Sequence, residues 1–320
     1  MIKYPKIGQF RNAIKAVRDH CSYHGLALPT LSYTGTVKLH GTNASIVYRN
    51  GVMEVQSRNN VITPEKDNAG FANWAKENES QWLEYLKPFA PKDSTKPLTV
   101  YGEWCGGNIQ KGVGITSLPK MFVIFGFRCG EETETSWLNC PPCPPIKDTH
   151  LITDFPTYLV SIDFNNPELM TNHLTMLTEA VEKECPVAKA MGVANGVGEG
   201  IVWKPTNVDY LKGDFFFKVK GEKHSVSHVK TLAPVDVEKL NSVLEFIEYA
   251  VTRNRVEQAV KELGASLDKH TGDVIRWVFN DIMAEEEDTL KANGLTRKDL
   301  GRHLSGAARK HYVDILNELR

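Results

Sequence analysis

A lysine amine is a poor nucleophile while protonated, so a lysine that does chemistry must be held in particular company. The segment TVKLHGTNASIVY (36–48) sets Lys38 in such a place. Val37 and Leu39 on one side and Ile46, Val47 and Tyr48 on the other read as two β-strands, with HGTN as a tight turn between them. Four later stretches also set polar residues into apolar strands. VQSRNN puts Arg58 just beyond a strand, and VYGEWCGG puts Glu103 at a strand end before a glycine-rich turn. GEGIVWKP opens a strand on Glu199 and carries Lys204, while FFFKVKGEK places Lys218 and Lys220 two residues apart, on one strand face. Two lysines in a Phe-rich strand are costly to bury unless negative groups meet them. Carboxylates or phosphates would serve, and the whole set describes a pocket for a nucleotide and a divalent metal. Any one of the carboxylates taken alone fits a structural ion pair as well; the set together does not.

These residues need a scaffold. From about 30 to 230 the chain is rich in short apolar, β-branched and aromatic runs such as ASIVYRNGVMEVQS, PLTVYGEW, KMFVIFGF and DFFFKVK. Asn50-Gly51 between two alternating runs predicts a hairpin. In KMFVIFGF, strict alternation puts Val123, Phe125 and Phe127 on one face and Phe122 and Ile124 on the other. Helices are expected near 67–87 and 166–191. After Pro234 the spacing of apolar residues changes to three and four, with caps and glycine stops. The expected fold class is α+β: a domain of antiparallel sheets over 1–232 and an all-helical domain over 233–320.

The 320 residues suffice for two cores. A formal net charge of −1 excludes a generic polycation, so any grip on nucleic acid must come from local patches. No stretch of about 18 apolar residues occurs, and MIKYPKIGQFRNAIK lacks the apolar core of a signal peptide. A soluble, unexported, cytoplasmic protein is expected. Six cysteines are too sparse for a disulfide scaffold. Cys140 and Cys143, in CPPC, have metal-like spacing, but their four surrounding prolines favour a stiff connector over a zinc or redox site.

In order, KLHG, SR, GEW, EGIVWK and KVK resemble motifs I, Ia, III, IV and V of the covalent nucleotidyltransferases, the superfamily of ATP-dependent ligases and mRNA capping enzymes. The K-x-H-G-T-N form of the first motif resembles the bacteriophage-type RNA ligase 2 family. RNRVEQAVKEL in the tail is similar to that family's C-terminal domain. The resemblance implies an ATP-dependent RNA ligase that joins 3′-OH and 5′-phosphate ends, at nicks in duplex RNA, through a lysyl-AMP and then an RNA-adenylate. Phage origin would place its action in a host cytoplasm. ATP and Mg²⁺ or Mn²⁺ are the implied cofactors, RNA the partner, and a monomer the expected state.

Carried onto this sequence, Lys38 would attack the α-phosphorus. Neighbouring cations or desolvation would favour loss of its proton, with Lys204, Lys218 and Lys220 as candidate cations. Glu199 would hold the metal. Glu103 would accept a hydrogen bond from the ribose, Arg58 would fork phosphate or ribose oxygens, and Phe125 would stack on adenine. His40 and Asn43 would serve the later steps. Val37 stands where relatives often carry Glu, so its contact with the nucleotide would be made by the main chain, and Ala44 replaces a frequent Phe. For the RNA grip, Lys223 and Lys230 follow the last motif, and Arg297, Lys298, Arg302 and Arg309 lie in the tail. Three alternatives stand beside this reading: a DNA ligase, a capping guanylyltransferase, and a relative that binds nucleic acid without chemistry. The helical tail argues against the first two, since those enzymes usually follow the last motif with an OB-fold. The complete set of ionisable motif residues argues against the third.

Overall fold

The computed structural model describes residues 1–130, 136–138, 141–224, 236–264 and 270–318. Among the described residues eleven strands form two sheets: β1 (Thr30–Lys38), β2 (Thr42–Arg49), β3 (Val52–Ser57), β4 (Val61–Ile62), β5 (Leu98–Cys105), β6 (Met121–Cys129), β7 (Ser136–Leu138), β8 (Thr149–Leu151), β9 (Thr157–Asp163), β10 (Gly200–Pro205) and β11 (Phe217–Lys220). One sheet has the order β11-β10-β1-β9, the other β4-β3-β2-β5-β6-β7, with β8 parallel to β6. The predicted hairpin joins β2 to β3. Asn50 (φ 54°) and Gly51 (φ 76°) both take the left-handed conformation that a two-residue turn of this hand requires.

Alternation sets the faces of the first sheet. Tyr33, Val37, Ile201, Trp203, Phe217 and Val219 are buried on one side. Thr36, Lys38, Val202, Lys204, Lys218 and Lys220 are half-buried on the other. In the second sheet the alternation breaks. Tyr101 pairs with Gly126 but Gly102 pairs with Ile124, so Phe125 is an extra residue in β6, a β-bulge. The expected grouping of Phe125 with Phe127 fails for that reason. Phe127 joins Phe122 and Ile124 in one core cluster, while Phe125 packs with Tyr4, Val47 and Tyr101 in another. Gly102 permits the close approach opposite the bulge, since a Cβ there would lie 2.4 Å from the Phe122 ring.

Helix α1 spans Phe10–His24. The helical signal at 67–87 is two helices, α2 (Phe71–Glu77) and α3 (Glu79–Leu86), whose Phe71 and Trp82 are fully buried against the second sheet. That at 166–191 is α4 (Thr171–Lys183) and α5 (Pro186–Ala190), with Pro186 opening the second. Beyond lie α6 (Val237–Ala250), α7 (Arg253–Leu263), α8 (Thr271–Glu285), α9 (Glu287–Ala292) and α10 (Arg297–Glu318). Asp236 and Thr252 cap α6 and α7, and Gly264 ends α7 at φ 58°. Val256, Val274, Val278, Ile282, Leu300, Leu304 and Tyr312 lie at the centre of the helical core. The α+β class with a helical C-terminal region is thus observed.

By contacts the chain forms two units. One comprises Met1–Ala16, Leu31–Ser161 and His173–Leu232; the other comprises Val17–Thr30, Ile162–Asn172 and Ala233–Arg320. The expected boundary at 232/233 lies outside the described residues, as does Cys140. Cys143 is half-buried with its thiol on the Thr149 carbonyl. No helix among the described residues is long and apolar enough to cross a membrane.

Candidate active site

Pairing across β1, β10 and β11 places Lys38 opposite Gly200, and Gly200 opposite Lys220. Gly200 (φ 150°) leaves no room for a side chain, because a Cβ would sit 2.1 Å from the Val219 carbonyl oxygen. Glu199 immediately precedes it and is only 2% exposed. Lys38 Nζ donates to Glu199 Oε2 at 2.6 Å, and Lys220 Nζ lies 2.7 Å from Oε1. His40 Nδ1 is 3.4 Å from the oxygen that Lys38 engages. Burial alone would raise the Glu199 pKa, but Lys38 and then Lys220 reverse this and hold it below the usual carboxylate range. Burial pushes the His40 imidazole down despite Glu199. The site therefore holds an ionised buried carboxylate between two amines, an arrangement costly to desolvate and worth keeping only with full pairing.

Lys38 borders a cavity of about 370 Å³ between the two sheets, within the range of small-molecule sites. Thr36, Val37, Asn43, Arg58, Glu103, Phe125, Val202, Lys204 and Lys218 also line it. Glu103 Oε1 accepts the Gly41 N–H at 2.9 Å. The glycine of KLHG is needed here because a Cβ would lie 2.4 Å from the Trp104 carbonyl oxygen. Burial pushes the Glu103 pKa up to about 7, against the pull of Lys38 and the Gly41 bond. Burial, then Lys38 and Lys220, push the Lys218 amine down. Such opposed shifts among cavity groups mark candidate functional sites.

Lys204 lines the same cavity but stands apart from the amines at Glu199. It is opposite Thr34, four residues along β10 from Gly200, or about 13 Å of strand. Its amine donates to the Phe125 carbonyl at 2.6 Å and lies 5.5–5.6 Å from the ring centroids of Tyr4, Phe125, Trp137 and Phe216. Cation–π attraction offsets the cost of half-burying it. No signal in the sequence assigns the first residues to this place. Tyr4, Pro5, Lys6 and Ile7 line the cavity. The Ile2 N–H donates to Gln56, the Lys3 carbonyl accepts from Arg128 and Tyr101, and Gly8 bridges to Phe217 in β11. Tyr4 is buried with its hydroxyl unbonded among the described residues. MIKYPKIG has neither alternation nor a turn signal, so only this pinning by distant partners reveals its place.

The proposed RNA-binding residues are scattered. Lys223 is exposed at the turn after β11, and Lys230 lies outside the described residues. In the helical unit, Lys298 and Arg309 are exposed, and Arg297 lies 3.9 Å from Glu287. Arg302 is ion-paired with Glu168, which also receives His303 Nε2 at 3.1 Å. Among the described residues no group of three or more His, Cys, Asp and Glu side chains could hold a metal.

A model of the RNA ligase family matches residues 31–220, more than half of the chain and all five motifs. No curated protein matches it in sequence. Among solved structures, a Naegleria gruberi RNA ligase mutant with ATP and Mn superposes with a TM-score of 0.45 at 17% identity, covering 70% of this chain and 57% of that one. The same organism's RNA ligase with PPi gives a TM-score of 0.44 at 17% identity over the same shares. This chain thus spans 57% of the length of those structures.

Proposed function

Because the chain belongs to the RNA ligase family, we propose that it joins RNA 3′-OH and 5′-phosphate ends, at nicks in duplex RNA, by an ATP-dependent route through a covalent adenylate on Lys38. The observation that carries this reading is the Lys38–Glu199–Lys220 array at the edge of a nucleotide-sized cavity.

Lys38 Nζ, once it has lost its proton, attacks the α-phosphorus of ATP; a P–N bond forms and pyrophosphate leaves. The RNA 5′-phosphate then attacks the same phosphorus, breaking the P–N bond and forming a pyrophosphate link to AMP. Attack by the 3′-OH on the RNA phosphorus releases AMP and closes the strand. Lys218 and Lys220 supply fixed positive charge against the phosphates. Phe125 and Tyr4 receive the base at the far end of the cavity, with Lys204 beside them. Glu103 and Arg58 face the ribose and phosphates, and His40 and Asn43 serve the transfer to RNA. The exposed Lys223, Lys298 and Arg309, and less so the paired Arg302, add affinity for the RNA backbone, as would Arg297 and Lys230.

The donor set fits a metal that arrives with the nucleotide. One buried, ionised carboxylate offers hard oxygens, and Mg²⁺ commonly takes one or two carboxylates with phosphates and waters completing its shell. Mg²⁺ or Mn²⁺ at Glu199 would supply positive charge to the phosphates.

The test is incubation with α-labelled ATP and Mg²⁺ followed by a denaturing gel. Label is expected on the wild type, absent from Lys38→Ala, and absent with GTP. Label retained by Lys38→Ala would move the nucleophile elsewhere. Equal sealing of an all-DNA nick would count against RNA as the substrate.

A further inference from the structure

The Lys38–Glu199–Lys220 array exists only if two chain ends are held together: the residues entering β10 and those leaving β11. Both are tied to one residue outside every motif, Glu182 in the last turn of α4. Its carboxylate accepts the Lys223 N–H at 2.7 Å, three residues beyond Lys220. Its main-chain carbonyl accepts the Gly198 N–H at 3.3 Å, one residue before Glu199. Its carboxyl group also fills the space beside Gly221, where a Cβ would meet Glu182 Cδ and Oε1 at 2.3 Å. The Gly221 N–H in turn donates to the Glu199 carbonyl at 3.1 Å.

The short turn Glu222–His224 that Glu182 holds ends on His224. The His224 ring lies edge-on to that of His40, with centroids 5.6 Å apart. A negative side chain in the last turn of a helix opposes the helix dipole, so local helix stability does not explain a glutamate at 182. Its bond to the Lys223 amide does.

We propose that Glu182 is a positioning residue for lysine nucleotidylation, clamping the entry to β10 against the exit from β11 so that Lys220 and His40 keep their places at Glu199. The proposal rests on the RNA ligase reading of the site. Small displacements of charged groups at a reacting centre cost large factors in rate, while binding made elsewhere in the cavity is spared.

The experiment measures single-turnover labelling of the full chain from α-labelled ATP. Glu182→Ala is expected to slow the rate at saturating ATP by about tenfold or more, with the half-saturating ATP concentration changed by less than about twofold. Glu182→Gln is expected to restore the rate to within about threefold of wild type, because its amide oxygen still accepts the Lys223 N–H. Gly221→Ala displaces the carboxyl group from the other side and should be slow alone. Combined with Glu182→Gly, which also removes the Cβ that would lie 2.9 Å from the new methyl, it should add little, since both changes break one contact. A wild-type rate for Glu182→Ala, a Glu182→Gln as slow as the alanine variant, or additive slowing would overturn the proposal while the wild type still labels. A wild type that takes no label overturns the ligase reading and this proposal with it. If Glu182→Ala does not fold, Glu182→Gln and Gly221→Ala decide: a slow Gly221→Ala beside a near-normal Glu182→Gln supports the clamp, and any other pair of results sinks it.

Discussion

Lys38 and Lys220 flank a single glycine in the sheet and bond opposite oxygens of one buried carboxylate, at 2.6 and 2.7 Å. Each amine therefore depends on the same partner, and removing that partner leaves two ammonium groups side by side. Glu199→Ala is expected to lower the rate of lysine labelling by about a hundredfold or more. Lys220→Met, which leaves Glu199 paired with Lys38, should retain more activity than Glu199→Ala. Rapid-quench labelling at saturating ATP orders the variants, and the reverse order would refute shared dependence on Glu199.

Gly200 and Gly41 are spacing requirements rather than hinges. A Cβ at either would lie 2.1 or 2.4 Å from a main-chain carbonyl oxygen that cannot rotate away. Gly200→Ala and Gly41→Ala should each destabilise by roughly 1–3 kcal/mol. Urea unfolding gives the stability of each, and labelling of the folded fraction should fall in both.

Glu103 gives stability a slope against pH. The unfolded side chain titrates near 4.5 and the folded one at about 7, so between those values the folded state holds a proton that the unfolded state has lost. Stability is full below pH 4.5 and falls as pH rises toward 7, by on the order of 2–3 kcal/mol from this group. Unfolding curves from pH 4.5 to 7.5 should show Glu103→Gln with a shallower decline than wild type; parallel curves would refute the assignment.

Glu168 acts in the opposite sense. Burial would raise its pKa, but the His303 hydrogen bond, with Arg302, brings it to about 2. Its stabilisation is present above pH 4.5 and is lost as pH falls toward 2. Glu168→Gln should cost up to about 3 kcal/mol at pH 7 and flatten the acid side of the stability curve. Arg302→Ala should likewise lower stability at pH 7, and a change in RNA affinity without that loss would show Arg302 to be a pure phosphate contact.

At the far end of the cavity, Phe125→Ala is expected to weaken ATP by about 1–3 kcal/mol, as loss of base stacking does. Phe125→Leu should weaken it less. The half-saturating ATP concentration checks both, and the rate at saturating ATP should change little.

Residues that work as charge or backbone necessity were legible in the sequence. Lys38, Glu103, Lys218 and Lys220 sit at strand positions where alternation already assigns their faces, Glu199 stands just before β10, and Lys38, Glu103 and Lys218 line the cavity. Glu199 and Lys220 lie off that lining, joined to it through the bond between Glu199 and Lys38. The bulge at Phe125 was not legible, because one inserted residue leaves the apolar run unchanged while reversing every face beyond it. Lys204, a candidate cation with Lys218 and Lys220, lines the cavity as expected of a pocket residue, but its aromatic surroundings come from four distant segments that no local pattern connects. Tyr4 through Ile7 carry no pattern at all, since distant hydrogen bonds rather than local propensity set their course.

That separation has a practical corollary. Because the aromatic box around Lys204 lies about 13 Å of strand from the glycine between Lys38 and Lys220, the reading proposed here assigns the choice of letter and the power to react to different residues. On that reading either one is open to revision, by selection or by an engineer, with the other left as it stands.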